Sequence, residues 1–283
     1  MKLLLLLVVL ALRRLDIGWP AWLLDRQKAR HLLAPVENQL NRLTESVLLH
    51  WLLAVLLPAV LVALLLGWLS GFLWGLPALF VAVLLLLWLL GPESEFRHLD
   101  EMLVRGRMGD DQQLAEIATE QFQAIGTPAD EGYFPALKKR ITRQDLTNLF
   151  ATIFWLIVLG YGAALLYVLN RQWLSDENTG RREFAGLLHT ALIWIPARLL
   201  VLCMALAGNF SRVAEAVAGE VWQLDDGQSL VDDALAGAMD LPALDDPENL
   251  QAGVDQLEKL QSLLLRCLAI WLILSAAWIV ITG

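Results

Sequence analysis

One arginine lies in the middle of an apolar segment, where it could bind an anion. Arg198 follows Pro196 inside the apolar stretch 187–207. A charged side chain is costly within a membrane unless it is paired or reached by water, so an anionic ligand or a carboxylate such as Asp145 is a candidate partner. The alternative is an arginine that snorkels from a shallow helix to the membrane surface. The sequence leaves both interpretations open.

A second group of residues has the types and spacing of a weak magnesium site. Arg105 and Arg107 precede Asp110, and Glu116 and Glu120 follow at a spacing that places both on one helix face. Carboxylate oxygens are ligands that Mg²⁺ prefers. The alternative is a solvated helix face with Asp110 as its N-terminal cap. The sequence therefore leaves the metal unknown.

Most motifs that carry catalysis are missing from the sequence. It contains no GxxxxGK[ST] phosphate-binding loop, no HExxH pair and no GxSxG nucleophile elbow. Cys203 and Cys267 lie in apolar helical sequence, where free cysteines behave as small hydrophobic residues. The predicted spans hold no Asp or Glu, which disfavours a transporter coupled to protons or sodium.

The elements that carry these residues are predicted to lie in a membrane. The chain is 57% hydrophobic and only 18% charged, whereas a soluble domain carries about a quarter charged residues. Apolar runs of about nineteen residues nearly cross a hydrocarbon core of about 30 Å. Four runs of this kind are predicted to be spans: 48–66, 72–90, 149–169 and 263–281.

Two further apolar segments differ from these four. Residues 1–12 are too short to span, and Arg13 and Arg14 follow where a signal peptide would have small residues. We therefore expect a short N-terminal membrane helix that is retained. Residues 187–207 either cross fully or form a re-entrant helix, because Pro196 and Arg198 interrupt them. The predicted class is an all-α, polytopic membrane protein with four spans plus these two elements.

The polar segments between the apolar ones complete a six-part organisation. The parts are an N-terminal membrane-contact helix with a cytoplasmic segment (1–47), a transmembrane hairpin (48–91), a cytoplasmic helical segment (92–147), the third span with the Pro/Arg helix (148–207), an acidic soluble segment (208–262) and a C-terminal anchor (263–283). Gly67, Gly71 and Gly75 recur every fourth residue at the hairpin turn. This pattern favours a tight turn, with close helix packing as the alternative.

The distribution of basic residues predicts the orientation. Residues 1–47 and 92–147 carry seven Lys or Arg each, and both flank the hairpin, so their side is predicted to be cytoplasmic. Segment 208–262 holds twelve acidic residues and two basic ones, which argues against nucleic acid or anionic lipid as its partner. It is cytoplasmic if 187–207 crosses the membrane and periplasmic if 187–207 re-enters.

Three short stretches resemble the AmpE family of bacterial inner-membrane proteins. They are Leu6–Leu15, Phe150–Val158 and Ile193–Leu199, and the spacing of the spans is similar as well. The resemblance runs almost end to end. It implies a regulatory protein of the inner membrane linked to β-lactamase induction and cell-wall stress.

AmpE is in turn similar to the CobD/CbiB enzymes of cobalamin biosynthesis, through the element Ile-Pro-Ala-Arg-Leu at 195–199. Those enzymes use ATP and Mg²⁺ to join an aminopropanol unit to a corrinoid carboxylate. Their carboxylate motifs are reduced here to 107–110, 142–146 and 170–173, and His189, Thr190 and Ile193 replace two aspartates and an asparagine. Because ATP-dependent ligation needs carboxylates to hold Mg²⁺, the similarity implies a conserved fold without the enzymatic activity.

The leading hypothesis is therefore a membrane regulator whose soluble segments shift between states when a ligand or partner binds. Besides the lipid bilayer, the expected partner is a cell-wall-derived small molecule or another envelope protein, and a homodimer is one option. The candidate ligand-binding residues are Arg105, Arg107, Asp145, Asn170 and Arg198. The alternative is a relative of the ATP- and Mg²⁺-dependent synthases with residual nucleotide or small-molecule binding; a small-molecule transporter is a third class.

Overall fold

The computed structural model describes residues 2–14, 46–71, 76–91, 95–175, 178–223, 227–239 and 249–282. Within these ranges the chain forms helices and turns and no strand, which confirms the predicted all-α class. The helices are α1 Lys2–Arg14, α2 Val47–Ser70, α3 Leu76–Leu90, α4 Glu95–Arg107, α5 Asp111–Phe122, α6 Tyr133–Asp145, α7 Ala151–Val158, α8 Tyr161–Trp173, α9 Thr179–Ala207, α10 Phe210–Val217, α11 Gln228–Ala238 and α12 Leu250–Thr282.

Three of these helices are long and apolar enough to cross a membrane. They are α2, α9 and α12, and they contain the apolar stretches 48–66, 187–207 and 263–281. Helix α3 is apolar but shorter, with its apolar part at Pro77–Leu90. The chain is therefore a helical membrane protein. The count of four spans and the re-entrant alternative for 187–207 stay predictions.

The predicted third span, 149–169, is not one continuous helix. Helix α6 continues through a π-helical turn, Leu146–Phe150, into α7, and α8 begins only after Gly160. Gly160 has a φ of +92°, a left-handed conformation that favours glycine. A run of apolar residues carries no signal for such a break, because hydropathy reports the solvent around a segment and not its backbone dihedrals.

The helices form two compact units. The first unit comprises Met1–Glu93 and Thr152–Leu192, and the second comprises Ser94–Ala151 and Ile193–Gly283. In the first unit, α2 and α8 meet at Gly162. A Cβ at Gly162 would lie 2.9 Å from both the Ala59 carbonyl oxygen and the Ala63 Cβ. Small residues of this kind let two helix backbones approach closely in a membrane.

The ends of α1 and α3 are also joined within the first unit. Arg13, in the last turn of α1, is buried and donates hydrogen bonds of 2.9 Å to the carbonyls of Leu90 and Gly91. These carbonyls lie at the C-terminus of α3, where a cation satisfies backbone oxygens that lack an intrahelical partner. Arg13, whose charge argues against a signal-peptide cleavage site, therefore joins α1 to the end of α3.

The second unit combines the polar segments with the C-terminal part of α9 and with α12. Asp110 begins α5 by accepting a hydrogen bond from the Gln113 N–H at 3.0 Å, as an N-cap does. Helix α12 packs its Gly253 against the ring of Phe134 on α6 and its Val254 against Gly106 at the end of α4. This unit therefore brings together α4, α6 and α12, which are far apart in the sequence.

Candidate functional site

The guanidinium of Arg198 is held by backbone carbonyls. Its Nε donates to the Val221 carbonyl at 2.7 Å, and its Nη1 donates to the Trp194 carbonyl at 3.0 Å. Its Nη2 makes a short hydrogen bond to the Gln223 carbonyl. The guanidinium also lies over the Trp194 ring, 4.2 Å from its centroid, as in a cation–π contact.

Trp194 also binds the loop after α10, which contains Val221 and Gln223. Its indole Nε1 donates to the Gln223 carbonyl at 3.0 Å. Gly227, where α11 starts, has a φ of +67°, and a Cβ there would lie 2.7 Å from the Ala197 Cβ. Arg198 and Trp194 together therefore anchor the loop after α10 to α9, and Arg198 has a structural role whether or not it also binds a ligand.

Pro196 interrupts the hydrogen bonding of α9 but not the helix itself. A proline has no N–H, so the carbonyl four residues earlier, that of Leu192, loses its helical donor. The indole Nε1 of Trp155 donates to this carbonyl at 3.1 Å instead. The proline is thus compensated by a side chain, as is common for prolines in transmembrane helices.

A buried carboxylate joins α11 to α6. Asp232 is 6% exposed and accepts two hydrogen bonds from Arg143, at 3.0 Å to Nε and 2.6 Å to Nη2. Lys139 lies 3.7 Å from the same carboxylate. A bidentate arginine–carboxylate pair fixes geometry as well as charge. The acidic segment 208–262 is therefore bound directly to the basic cluster of segment 92–147.

Two of the candidate arginines, Arg105 and Arg107, lie near the end of α4. Arg107 is exposed, and its Nη2 donates to Glu258 of α12 at 2.6 Å. This hydrogen bond to Glu258 raises the pKa of Arg107 above its usual value. Arg105 makes no hydrogen bond or ion pair with any residue that the structure describes, and it lines a cleft between α4 and α5.

The predicted magnesium ligands gain no support from the structure. Asp110 is occupied as the N-cap of α5, and Glu116 and Glu120 are exposed on that helix. Among the described residues, no three His, Cys, Asp or Glu side chains group as a metal site would require. Asp110, Glu116 and Glu120 therefore stay weak candidates for metal binding.

Asp145 and Asn170 are buried in different units. Asp145 is 1% exposed at the end of α6, on the face that also buries Ile141 and Thr142. In the first unit, Asn170 accepts a hydrogen bond from Trp51 Nε1 at 2.9 Å and donates to the Ala185 carbonyl at 3.1 Å. Asn170 is thereby a structural link between α2, α8 and α9.

A model of the protein family described as the regulatory signalling modulator protein AmpE matches residues 1–276. The chain belongs to the AmpE family. No curated protein and no solved structure matches it. For this AmpE-family chain, membership supports a regulatory role. It gives no support to the synthase alternative, and the ligand-binding roles of the candidate residues stay predictions.

Sequence reasoning about this AmpE-family chain missed the Asp232–Arg143 pair. The basic residues at 138–143 contributed only to the prediction of a cytoplasmic side. One signal was available, since Asp232 lies among Leu230, Val231 and Ala234, which are all buried. An acidic residue on the apolar face of a helix predicts a buried cationic partner.

Proposed function

We propose that this AmpE-family protein is an inner-membrane regulator of β-lactamase induction that responds to the state of the cell wall. The observation that carries the proposal is the family match over residues 1–276, which includes both units and every candidate residue. The second unit is the part that responds, because it collects the polar segments 92–147 and 208–262 into one body. Its ligand is a cell-wall-derived small molecule or a segment of another envelope protein.

The Asp232–Arg143 pair supports a definite topology for this regulator. Two segments joined by direct hydrogen bonds lie on the same side of a bilayer, so the chain between α6 and α11 crosses the membrane an even number of times. The broken α7–α8 segment and α9 then cross as a pair. Because the basic residues place 92–147 in the cytoplasm, the acidic segment is cytoplasmic too.

Helix α12 supports the same arrangement at its other end. Its first turns contact α4 through Gln251, whose side chain donates to the Gly106 carbonyl at 3.1 Å, and through Glu258, which pairs with Arg107. Its remaining turns, 263–281, are apolar. In the proposed topology, α12 leaves the cytoplasmic body and crosses the membrane, and the C-terminus is periplasmic.

Cysteine labelling tests the topology. In a variant without Cys203 and Cys267, a single cysteine replaces the exposed Ser229 on α11, and a membrane-impermeant maleimide is added to intact spheroplasts. We expect labelling only after lysis, whereas a cysteine appended after residue 283 labels from outside. Labelling of Ser229→Cys in intact spheroplasts would refute the cytoplasmic assignment.

A deletion experiment tests the regulatory role. In a host with an inducible chromosomal β-lactamase, we expect loss of this chain to change the induced enzyme level, and plasmid-borne wild type to restore it. An Arg143→Ala variant, which disrupts the second unit, is expected to restore it poorly, whereas Arg140→Ala restores it fully. An unchanged induction curve in the deletion strain would contradict the proposal.

A further inference from the structure

A groove of about 520 Å³ lies between α2 and α8 in the first unit. Its walls are formed mainly by leucine, valine, alanine and glycine, and Ser70 and Tyr161 are the polar residues that line it. The principal apolar lining residues are Leu56, Ala59, Val60, Gly67, Leu159 and Leu166. Because α2 is long and apolar enough to cross a membrane, the medium around this groove is hydrocarbon rather than water.

The relative direction of the two helices distinguishes the two ends of the groove. Gly162, at the start of α8, lies against Ala59 of α2. Asn170, near the end of α8, accepts a hydrogen bond from the indole of Trp51, near the start of α2. Helix α8 is therefore antiparallel to α2. Its first turn points towards Ser70, the last residue of α2.

The groove runs from the edge of the apolar stretch of α2 into its interior. The stretch covers 48–66, and Ser70 lies beyond its end. Leu56 lies well inside it, about 15 Å from its last residue at the rise of a helix. A ligand that follows the groove therefore has its outer end at the membrane surface and its inner end among hydrocarbon.

The groove is too narrow for a helix and wide enough for one chain. Between Leu56 and Ser70 it follows α2 for roughly 21 Å. Its volume of about 520 Å³ over this length gives a mean cross-section of about 25 Å². A helix about 10 Å across needs roughly 80 Å². An extended hydrocarbon chain, whose carbon contacts are about 4 Å, needs only roughly 15–20 Å².

The outer end of the groove offers hydrogen-bond donors. Ser70 is exposed there. Helix α8 begins after Gly160 with no side-chain cap among the described residues, so the N–H groups of Tyr161 and Gly162 lack an intrahelical partner. Backbone donors at a membrane need an acceptor. The ester oxygens of a phospholipid supply acceptors where the headgroup region meets the hydrocarbon core, which is the level of this end.

We propose that the groove between α2 and α8 binds one acyl chain of a membrane phospholipid. The polar end of the lipid lies beside Ser70 and the first turn of α8, and the chain runs inward past Gly67 and Val60 to Leu56. The chain thus has the direction of the lipids around it, and it fills the space that α8 leaves beside α2. The site is independent of the regulatory role, because it follows from the shape, polarity and depth of the groove.

Native mass spectrometry of the full-length protein, purified from membranes in a mild detergent, tests this site. We expect one phospholipid to stay bound to each protein molecule after the bulk lipid is removed. Gly67→Phe and Val60→Phe each place a ring in the groove, and both should lose this lipid. A Cβ at Gly67 meets nothing within 4 Å and Val60 is 44% exposed, so both variants should keep the wild-type helix content by circular dichroism.

Leu64→Phe is the matched control. Leu64 lies between Val60 and Gly67 on α2, is 65% exposed and does not line the groove. This variant should retain the lipid as wild type does. Wild-type protein without bound lipid, or equal retention in Gly67→Phe and Leu64→Phe, would overturn the proposal. A lipid-free dimer that is lost in Gly67→Phe and kept in Leu64→Phe would also overturn it, because a second copy would then occupy the groove.

Photo-crosslinking in vesicles tests the direction of the chain. The probe is a phosphatidylcholine with a diazirine either next to the ester or at the methyl end of its acyl chain. We expect the first probe to label 63–70 and the second to label 56–60, and both to label Gly67→Phe less than Leu64→Phe. The opposite order, or labelling that Gly67→Phe leaves unchanged, would overturn the assignment.

Discussion

Two helix contacts, one in each unit, are held by opposite means. In the first unit, α2 and α8 approach at Gly162, where the absence of a side chain allows Ala59 and Ala63 to come close. In the second unit, α6 and α11 are joined at Asp232, where charged side chains meet with two hydrogen bonds. Lipid offers no hydrophobic drive for helix association, so close packing suits the apolar helices α2 and α8, whereas the polar helices α6 and α11 can use a charge pair.

The comparison predicts that substitutions in the charge pair cost more stability than substitutions at Gly162. It also predicts that loss of Arg143 costs more than loss of Asp232. Asp232 is 8% exposed at its side chain, whereas Arg143 is 41% exposed. Arg143→Ala leaves a buried carboxylate with only Lys139 nearby, so we expect a loss of about 3 kcal/mol of stability. Asp232→Ala leaves an arginine that can turn to water, so its cost should be smaller. Thermal unfolding in detergent measures both.

Arg140 provides the matched control for this pair. It is exposed on the same helix, and its one described contact is a 3.5 Å hydrogen bond to Gln123. Arg140→Ala should leave the melting temperature within error of wild type. If Arg143→Ala and Asp232→Ala proved equally mild, the α6–α11 contact would not depend on the ion pair.

The small-residue contact of the first unit can be tested by one identical substitution at two glycines. Gly162→Ala adds a Cβ that meets backbone and side-chain atoms at 2.9 Å, so we expect a loss of about 1–3 kcal/mol from overpacking. Gly67→Ala, on α2, meets nothing within 4 Å and should be neutral or gain up to about 1 kcal/mol of helix propensity. Melting temperatures that shift equally would show that α2 and α8 are not closely packed.

This contrast also shows what the sequence could predict. Apolar runs predicted the spans in α2 and α12, because hydropathy follows burial in lipid. The glycine repeat predicts a turn or a packing role for Gly67 and Gly71, yet neither meets another helix, whereas Gly162 lies where α2 and α8 cross. Its role depends on Ala59, more than a hundred positions away, and no local pattern contains that information.

The candidate site could be predicted only in part, because several of its contacts also join positions that are far apart in the sequence. Arg198 is conspicuous as a charge in apolar sequence, but the described partners of its guanidinium include backbone carbonyls, which have no signature in the sequence. Asp110 was foreseen as a helix cap because capping is local. The Arg143–Asp232 pair was missed because it spans 89 positions.

Arg198 tests whether the hydrogen bonds of an arginine to backbone carbonyls contribute less stability than the charge pair does. Arg198→Ala should leave the protein inserted but free the loop at Val221 and Gln223, with a loss of about 1–2 kcal/mol in stability. Cleavage by a glutamyl endopeptidase after Glu220 should become faster, and Trp194→Phe should show a smaller increase of the same kind. Cleavage at the wild-type rate in Arg198→Ala would indicate that the arginine merely snorkels.

The smallest effect is expected at Tyr133, which is buried in the second unit without any charge partner. The residue is 3% exposed, and its hydroxyl has no hydrogen-bond partner among the described residues. Burial raises its pKa to about 12, so the folded state favours the neutral phenol. The stabilisation is fully present below the unfolded pKa of about 10 and is lost as pH rises towards the folded value.

Tyr133→Phe removes this buried hydroxyl and its titration together. Because an unpaired buried hydroxyl is costly, we expect the variant to match wild type or to gain up to about 1 kcal/mol at neutral pH. It should also lose less stability than wild type when the pH is raised from about 10 to about 12. A clear loss at neutral pH would mean that the hydroxyl has a partner, and that the second unit relies on polar contacts even in its core.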